Sequence, residues 1–376
     1  MSVEIREIRN KKDLRKFIQF GIDLFDGDPS YCPPLILDEM NTLRPDKNPA
    51  FEVCEAVYYM AYRDGQPVGR IAGIINRRAN EHWNVKKTRF GWFDFIDDLE
   101  VSKALLDAVA AWGKAKGMET LNGPVGFTDM DHQGLLVEGF QYLSPMAALY
   151  NYPYYLKHFE AYGLEKEADW IEVRMFAPRV LPEKMARVSA IVAQRSKVKV
   201  ERVHSAKEVV KRFGYSFFDL IDEAYARLYN YSPLTEKQKI TYSKQYFPLL
   251  NYDFVTLITN EQGELVAVGI CMPNISEPLR RCKGKLFPMG WYHLLKALKS
   301  KEIPVLDLLL IAVRPDYQNK GVNSLILADQ IQRFEQYKVQ YADVTAIWEE
   351  NYKNQSNWKD FDHVVHKRRR AFIKTL

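Results

Sequence analysis

The chain has 376 residues, of which 47% are hydrophobic and 27% charged, and its formal net charge is +5. This length favours two globular domains, and the composition excludes a disordered or fibrous protein. Because the charge is small for the length, we expect no nucleic acid partner.

The sequence also indicates where in the cell the protein is found. Its N-terminus, MSVEIREIRN, has no apolar signal-peptide core, and no stretch reaches the ~18 apolar residues of a spanning helix. We expect a cytoplasmic protein, either free or in peripheral contact with the inner face of the membrane. The cysteines lack the paired spacing of a metal site, so we expect reduced thiols and no metal.

The first half alternates strand and helix signals in the order β-α-ββ-β-α-β-α-β. An Asp64-Gly65 turn predicts a tight hairpin, and Gly117 and Gly163 predict helix ends. Strands are predicted over 4–8, 57–62, 68–75, 89–96, 120–122 and 170–175, and helices over 11–25, 99–116 and 154–162.

The second half repeats that order, with a basic, aromatic insert over 279–300. Helices are predicted over 206–228, 235–250, 323–337 and 354–361, and strands over 253–259, 265–272, 305–313, 341–347 and 364–374. Two prolines interrupt the periodicity near residue 178, so we place a domain boundary between residues 177 and 178.

One segment of the second half has the layout of an anion site. The strand ending at Ile311-Ala312-Val313 leads through a polar turn, Gln318 to Asn323, into a helix. Free N–H groups at a helix N-terminus carry partial positive charge, Gly321 permits close approach, and Lys320 adds a full charge. The turn residues Gln318, Asn319, Lys320, Gly321, Val322 and Asn323 are therefore candidates for holding a diphosphate.

The string Val313-x-Pro315-x-Tyr317-Gln318-x-Lys320-Gly321-Val322 resembles the acetyl-CoA motif of the GNAT superfamily. In that family a Gln/Arg-x-x-Gly-x-Gly/Ala loop binds the pyrophosphate, and here Asn323 replaces the last small residue. The segment from Ile347 to Phe372 resembles the closing strand, helix and hairpin of the family. The resemblance implies that Asn351 contacts the pantetheine arm, although an asparagine there could equally be a turn or cap.

Further motifs in the first half are Gly123-Pro124, Gly134 to Phe140, and Tyr150 to Tyr155. Together with the turn they resemble the tandem GNAT-like proteins grouped with bacterial ceramide synthases. This resemblance implies an α/β fold with two GNAT-like domains, 1–177 and 178–376, each a mixed, mostly antiparallel sheet flanked by helices. It also implies transfer of an acyl group from acetyl-CoA or a long-chain acyl-CoA to an amine such as a sphingoid base.

The two halves differ at the position of the phosphate loop. The first half has Asp97-Asp98-Leu99-Glu100 there, which would repel phosphate, so we interpret it as a degenerate copy. For the chemistry, Asp307 interrupts an apolar strand and is our first candidate general base. Glu138, His132 and Tyr352 are rival acid-base residues. The aromatic segments 150–155 and 287–295 could line an acyl channel, dock on a membrane, or simply pack.

Three other functions fit the same motifs. The protein could acetylate a small molecule or a protein with acetyl-CoA, or bind acyl-CoA without turnover. A third alternative is an aminoacyl-tRNA-dependent transferase, which would require a more basic surface than a net charge of +5 indicates.

Overall fold

The computed structural model describes residues 2–376, apart from the side chains of residues 353 and 356. The strands are β1 Glu4–Glu7, β2 Cys54–Arg63, β3 Gln66–Asn76, β4 Lys87–Phe95, β5 Thr120–Gly123, β6 Leu135–Glu138, β7 Glu165–Phe176, β8 Val198–Glu201, β9 Val255–Asn260, β10 Leu265–Pro273, β11 Val305–Val313, β12 Tyr341–Trp348 and β13 His363–Thr375. The helices are α1 Lys11–Leu24, α2 Ile36–Thr42, α3 Arg77–Trp83, α4 Leu99–Ala115, α5 Tyr154–Tyr162, α6 Glu183–Ser196, α7 Ala206–Phe213, α8 Ser216–Tyr225, α9 Glu236–Tyr246, α10 Ser276–Cys282, α11 Gly290–Leu298, α12 Val322–Ile331 and α13 Tyr352–Gln355.

These elements form two compact units. The first unit comprises Met1–Ile171, Ser276–Trp291 and His366–Leu376, and the second comprises Glu172–Ile275 and Tyr292–Val365. The predicted division at residue 177 stays a prediction, because a compact unit and a sequence repeat are different divisions of a chain.

The first unit contains a mixed sheet with the strand order β1-β2-β3-β4-β5-β13-β7, and β6 pairs with β13. Strands β1 to β4 are antiparallel, while β4 and β5 run parallel. The β2–β3 hairpin turns at Asp64 and Gly65, which both have positive φ as predicted. Helix α4 packs its apolar face on this sheet, with Leu105, Leu106 and Val109 fully buried.

The second unit has the same pattern. Its strand order is β12-β11-β10-β9-β8, with the last residues of β7 beside β12. Strands β8 to β11 are antiparallel and β11 and β12 are parallel. Helix α12 packs closely on β10, since a Cβ at Gly269 would lie 2.1 Å from Cγ2 of Ile326. The predicted fold class, mixed and mostly antiparallel sheets flanked by helices, is confirmed.

Some predicted elements differ in detail. The helix predicted over 206–228 is two helices, because Gly214 has φ 59 and ψ −126 and ends α7. The helix predicted over 354–361 is α13 followed by a 3-10 turn, Ser356–Trp358. The insert over 279–300 contains α10 and α11. Not predicted were α2, α3, α6, β6 and β8. Among residues 2–376, no helix is both long and apolar enough to cross a membrane.

Candidate functional site

The turn before α12 has an open helix N-terminus. Asn319 and Gly321 have φ values of 61° and 81°, and Gly321 is the N-cap residue. Because glycine has no side chain, Gly321 provides no side-chain cap for the first turn of α12. Left-handed residues in such a turn help direct successive N–H groups to one side, which produces an anion-binding concavity.

The charged side chains of this turn, those of Arg314, Asp316 and Lys320, have different surroundings. Arg314 is held by Asp316 and Glu264, with Nε to Asp316 Oδ1 at 2.7 Å, and its guanidinium lowers the pKa of Asp316. The Lys320 ammonium lies 5.0 Å from the ring centroid of Tyr317 and is exposed. Gln318 braces the turn, because its Nε2 donates to the Val313 carbonyl at 3.0 Å.

Three further polar groups, outside the predicted turn residues 318–323, are those of Ser324, Asn357 and Trp358. The Asn323 amide donates to Asn357 Oδ1, which joins the first turn to the 356–358 segment. Ser324 Oγ is buried and makes no hydrogen bond within residues 2–376. The indole Nε1 of Trp358, a fully buried side chain, is likewise without a partner in the described part of the chain. A hydroxyl and an indole N–H that lack acceptors fit a ligand that brings phosphate or carbonyl oxygens.

Strands β11 and β12 separate beside this turn. Their parallel register runs from Val305↔Tyr341 to Leu308↔Val344 and is not continued beyond that pair. On the other edge of β11, Ile270 pairs with Leu310 and Cys271 with Leu308, so Leu309 is the extra residue of a bulge. From Leu309 to Val313 the strand rises about 13 Å. This length of strand leads to the turn before α12.

The three strand residues predicted to bind the cofactor lie on this edge. The Ile311 carbonyl accepts a hydrogen bond from the Tyr225 hydroxyl at 3.0 Å. Ala312 is buried, and the Val313 carbonyl is the one held by Gln318. The structure thus places Ile311, Ala312 and Val313 between the bulge and the turn.

Asp307 lies two residues before the bulge and is buried, with 4% of its surface exposed. Asn274 donates its amide to Asp307 Oδ1 at 2.8 Å. On the neighbouring strand Asp343 is in register with Asp307, so both side chains lie on one face of the sheet. Arg174 binds Asp343 through two hydrogen bonds of 2.8 Å each. Asp307 thus accepts a hydrogen bond from a neutral amide, whereas Asp343 accepts two from a guanidinium.

The predicted residues after β12 have different surroundings. Asn351 Oδ1 accepts from the Asn354 backbone N–H at 3.2 Å, so its side chain caps α13. Tyr352 is 73% exposed, which excludes the core role usual for an aromatic residue on a short helix. Neither observation tests the predicted pantetheine contact of Asn351 or an acid-base role of Tyr352.

Glu138 and His132 belong to the first unit. Glu138 is an exposed residue at the end of β6, with its carboxylate 3.4 Å from Arg368. His132 faces the Met146 carbonyl at 2.9 Å, and burial lowers its pKa. Asp307, by contrast, lies in the same unit as the α12 turn.

In the first unit, the start of α4 and the edge of β4 correspond to the start of α12 and the edge of β11. Both contact side chains of the same unit. Asp98 caps α4, accepting from the N–H groups of Glu100 and Val101, and it also pairs with Arg63. After β4 and β5 separate beyond Arg89↔Asn122, tyrosine hydroxyls occupy the edge of β4. Tyr154 donates to the Phe95 carbonyl, and the Phe95 N–H donates to the Tyr155 hydroxyl at 3.4 Å. The anion site and strand edge of this unit are therefore filled by its own side chains.

Several known proteins are similar to this chain in sequence or fold. No protein-family model matches the sequence. The chain is 29% identical to Protein YghO of Escherichia coli over 330 residues, covering 86% of this chain and 81% of that protein. It is 26% identical to the bacterial ceramide synthase of Caulobacter vibrioides over 321 residues, covering 83% and 80%.

Among solved structures, the chain matches a tandem GNAT protein from the clavulanic acid biosynthesis pathway. The TM-score is 0.57 at 10% sequence identity, and the match covers 100% of this chain and 98% of that protein. At this identity the likeness concerns the fold. The chain therefore has the tandem GNAT fold, and its resemblance to the bacterial ceramide synthase extends over most of its length.

Proposed function

We propose that the protein is an acyl-CoA-dependent N-acyltransferase whose second unit binds the thioester and whose acceptor is a sphingoid long-chain base. The observation that carries this proposal is the open N-terminus of α12 at the end of a strand that has separated from its parallel neighbour. The pyrophosphate of CoA would meet the backbone of residues 318–323 together with Lys320 and Ser324. The pantetheine arm would lie along β11 between Leu309 and Val313, beside the Tyr225 hydroxyl that donates to the Ile311 carbonyl.

The two units support a division of roles. Asp98 and two tyrosine hydroxyls fill the first unit at the corresponding helix start and strand edge. A CoA diphosphate there would face a carboxylate instead of free N–H groups. We infer that the first unit is the degenerate copy and that the second unit binds acyl-CoA.

In the reaction, the neutral amine nitrogen attacks the thioester carbonyl carbon. The carbon–sulfur bond then breaks, the amide forms, and the CoA thiolate takes up a proton. Asp307 is suited to accept the proton that the ammonium form of the acceptor must lose first. Its carboxylate is buried two residues before the bulge at Leu309 and accepts a hydrogen bond from the Asn274 amide. The Arg174–Asp343 pair beside it orders the neighbouring strand.

Support for a long-chain amine comes from the sequence similarity to the bacterial ceramide synthase. An acetyl-CoA-dependent acetyltransferase would use the same turn and is the alternative that substrate profiling separates. Product analysis by mass spectrometry, with sphinganine and a short primary amine offered in parallel, identifies the acceptor class.

The test of the cofactor site is calorimetric titration with CoA, acetyl-CoA and palmitoyl-CoA. Gly321→Glu places a carboxylate at the helix start, where it repels diphosphate, and we expect at least a tenfold loss of affinity for every thioester. Gly263→Glu is the matched control. Gly263 lies in the β9–β10 turn with φ +79 and open space around its Cβ position, so it shares the backbone strain and charge change.

The outcomes separate the proposals. Equal binding by the wild type and Gly321→Glu contradicts the cofactor site. Tighter binding of palmitoyl-CoA than of acetyl-CoA supports a fatty acyl donor, and the reverse order favours the acetyltransferase alternative. Binding without turnover on any amine refutes the enzyme and leaves an acyl-CoA-binding protein.

A further inference from the structure

A short loop between α10 and α11 presents large apolar side chains to solvent. Phe287 is 76% exposed, Met289 53% and Trp291 45%. Leaving three such side chains in water is unfavourable, because apolar surface is more stable when it is removed from water. Exposed apolar clusters of this kind mark surfaces that bind a partner or a membrane.

The loop has a defined conformation that is held by internal contacts and hydrogen bonds. Its ends meet at Gly290, where a Cβ would lie 1.9 Å from the Lys285 carbonyl oxygen. The Trp291 backbone N–H donates to the Leu286 carbonyl at 2.9 Å, and its indole donates to the Pro288 carbonyl at 3.0 Å. The indole N–H is therefore satisfied within the loop while much of the ring stays exposed.

The loop is also anchored to the rest of the first unit. The Gly284 carbonyl accepts from the Ile36 N–H at 3.0 Å, and Lys283 pairs with Asp26 at 2.8 Å. A Cβ at Gly284 would lie 2.1 Å from the Pro34 carbonyl oxygen, so the segment approaches closely there. These contacts fix the direction in which the apolar tip faces.

The segment that presents the tip is basic. Ser276–Trp291 contains four Arg or Lys residues and one acidic residue, Glu277, which pairs with Arg280. Arg281 and Lys285 are exposed on either side of Lys283. Apolar side chains including tryptophan, next to cations, match the boundary between acyl chains and anionic headgroups.

We propose that Phe287, Met289 and Trp291 insert into the headgroup region of an anionic bilayer, while Arg281 and Lys285 bind the headgroups. A bilayer is favoured over an acidic protein because the tip combines a tryptophan whose N–H is already bonded with side chains that insert without needing a polar partner. Binding through this loop would place the protein at a bilayer surface, whether its acyl donor is long or short.

The test is cosedimentation of the full-length protein with vesicles of phosphatidylcholine alone or of phosphatidylcholine and phosphatidylglycerol in equal parts. We expect binding to the anionic vesicles that weakens with salt. The triple variant Phe287→Ser, Met289→Ser, Trp291→Ser should lower the partition coefficient at least tenfold. Arg281→Gln with Lys285→Gln should lower it about thirtyfold, since each cation near the surface contributes about 1 kcal/mol.

A matched control removes exposed apolar side chains elsewhere, by Val180→Ser, Tyr246→Ser and Leu249→Ser, and should bind like the wild type. Absence of vesicle binding by the wild type overturns the proposal and would leave an acidic protein as the partner. The proposal is also overturned if the control variant loses as much vesicle binding as the loop variant, or if the wild type binds both vesicle types equally. Acyl-CoA calorimetry on the loop variant keeps this result separate from the proposed activity, because its thioester affinity should be unchanged.

Discussion

At the scale of single residues, Asp307 has the surroundings of a proton acceptor. It is buried, it accepts from the neutral Asn274 amide, and it lies next to the bulge of β11. Asp343, one strand away and in register, is instead bound by the Arg174 guanidinium. Two aspartates in register on neighbouring strands thus have different hydrogen-bond donors, an amide for Asp307 and a guanidinium for Asp343.

Asp307→Asn should reduce turnover by about 100-fold to 10,000-fold, the usual contribution of a general base. Asparagine preserves the shape of the side chain and an oxygen for the Asn274 amide, so thioester affinity and the midpoint of thermal unfolding should change little. Steady-state rates with calorimetry on the same preparation measure both. Full turnover by this variant would remove Asp307 from the mechanism and return attention to Glu138, His132 and Tyr352.

At the scale of elements, the β11–α12 connection differs from its counterpart β4–α4 by its caps. Helix α4 begins with an aspartate cap, whereas α12 begins with a left-handed glycine and has a buried, unsatisfied hydroxyl at Ser324 in its first turn. An unpaired buried hydroxyl costs about 1–3 kcal/mol until a ligand supplies an acceptor.

Ser324→Ala should therefore separate stability from binding. Without ligand the variant should be as stable as the wild type or more stable, because alanine removes an unsatisfied group and favours the helix. Affinity for CoA should fall more than tenfold, since a hydrogen bond to a charged group is worth about 1.5–3 kcal/mol. Chemical denaturation and calorimetry measure the two quantities.

Ser243→Ala in α9 is the matched control, because Ser243 donates to the Ile240 carbonyl and lies on another helix. It should lose a little stability and keep its affinity for CoA. If Ser324→Ala behaves in the same way, Ser324 has no part in the thioester site.

Sequence periodicity predicted most of these elements, because their signals are local. The hairpin at Asp64-Gly65 and the strand–turn–helix at 305–331 both depend on residues close in the chain. Helix α6 was missed although Val188, Ile191 and Val192 recur at helical spacing. None of its side chains is fully buried. The bulge at Leu309 and the tyrosines that close the edge of β4 depend on neighbouring strands and helices, which no local pattern reveals.

At the scale of the whole molecule, the two units draw on distant parts of the chain. Residues 276–291 and 366–376 belong to the first unit, although both follow the predicted boundary at residue 177. Strand β13 pairs with β5 and β6 in that unit, across more than 200 positions of sequence. Hydrophobic periodicity reports which face of an element is buried but not its partner, so this part of the architecture could not be predicted.

Global stability should depend on pH through Glu39 in the first unit. Burial raises the pKa of this carboxyl to about 7, although the Trp92 indole donates to it at 2.6 Å and Arg70 is nearby. Below pH 4.5, its ordinary pKa, the carboxyl is protonated in both the folded and the unfolded state. In that range it does not change the free energy of unfolding. Between pH 4.5 and 7 only the unfolded state ionises, so the free energy of unfolding should fall by about 3 kcal/mol.

Glu39→Gln should abolish most of this fall, because the amide does not titrate and its oxygen can still accept from the Trp92 indole. A smaller slope should remain, since burial raises the pKa of Asp131 in the same unit to about 6. Denaturant unfolding from pH 4 to 8 measures the slopes, with exposed Glu160→Gln as the control that should follow the wild type. The comparison uses the slope of stability against pH because a buried amide N–H2 adds a pH-independent cost of its own. Parallel curves for the wild type and Glu39→Gln would show that this carboxyl ionises normally in the folded protein.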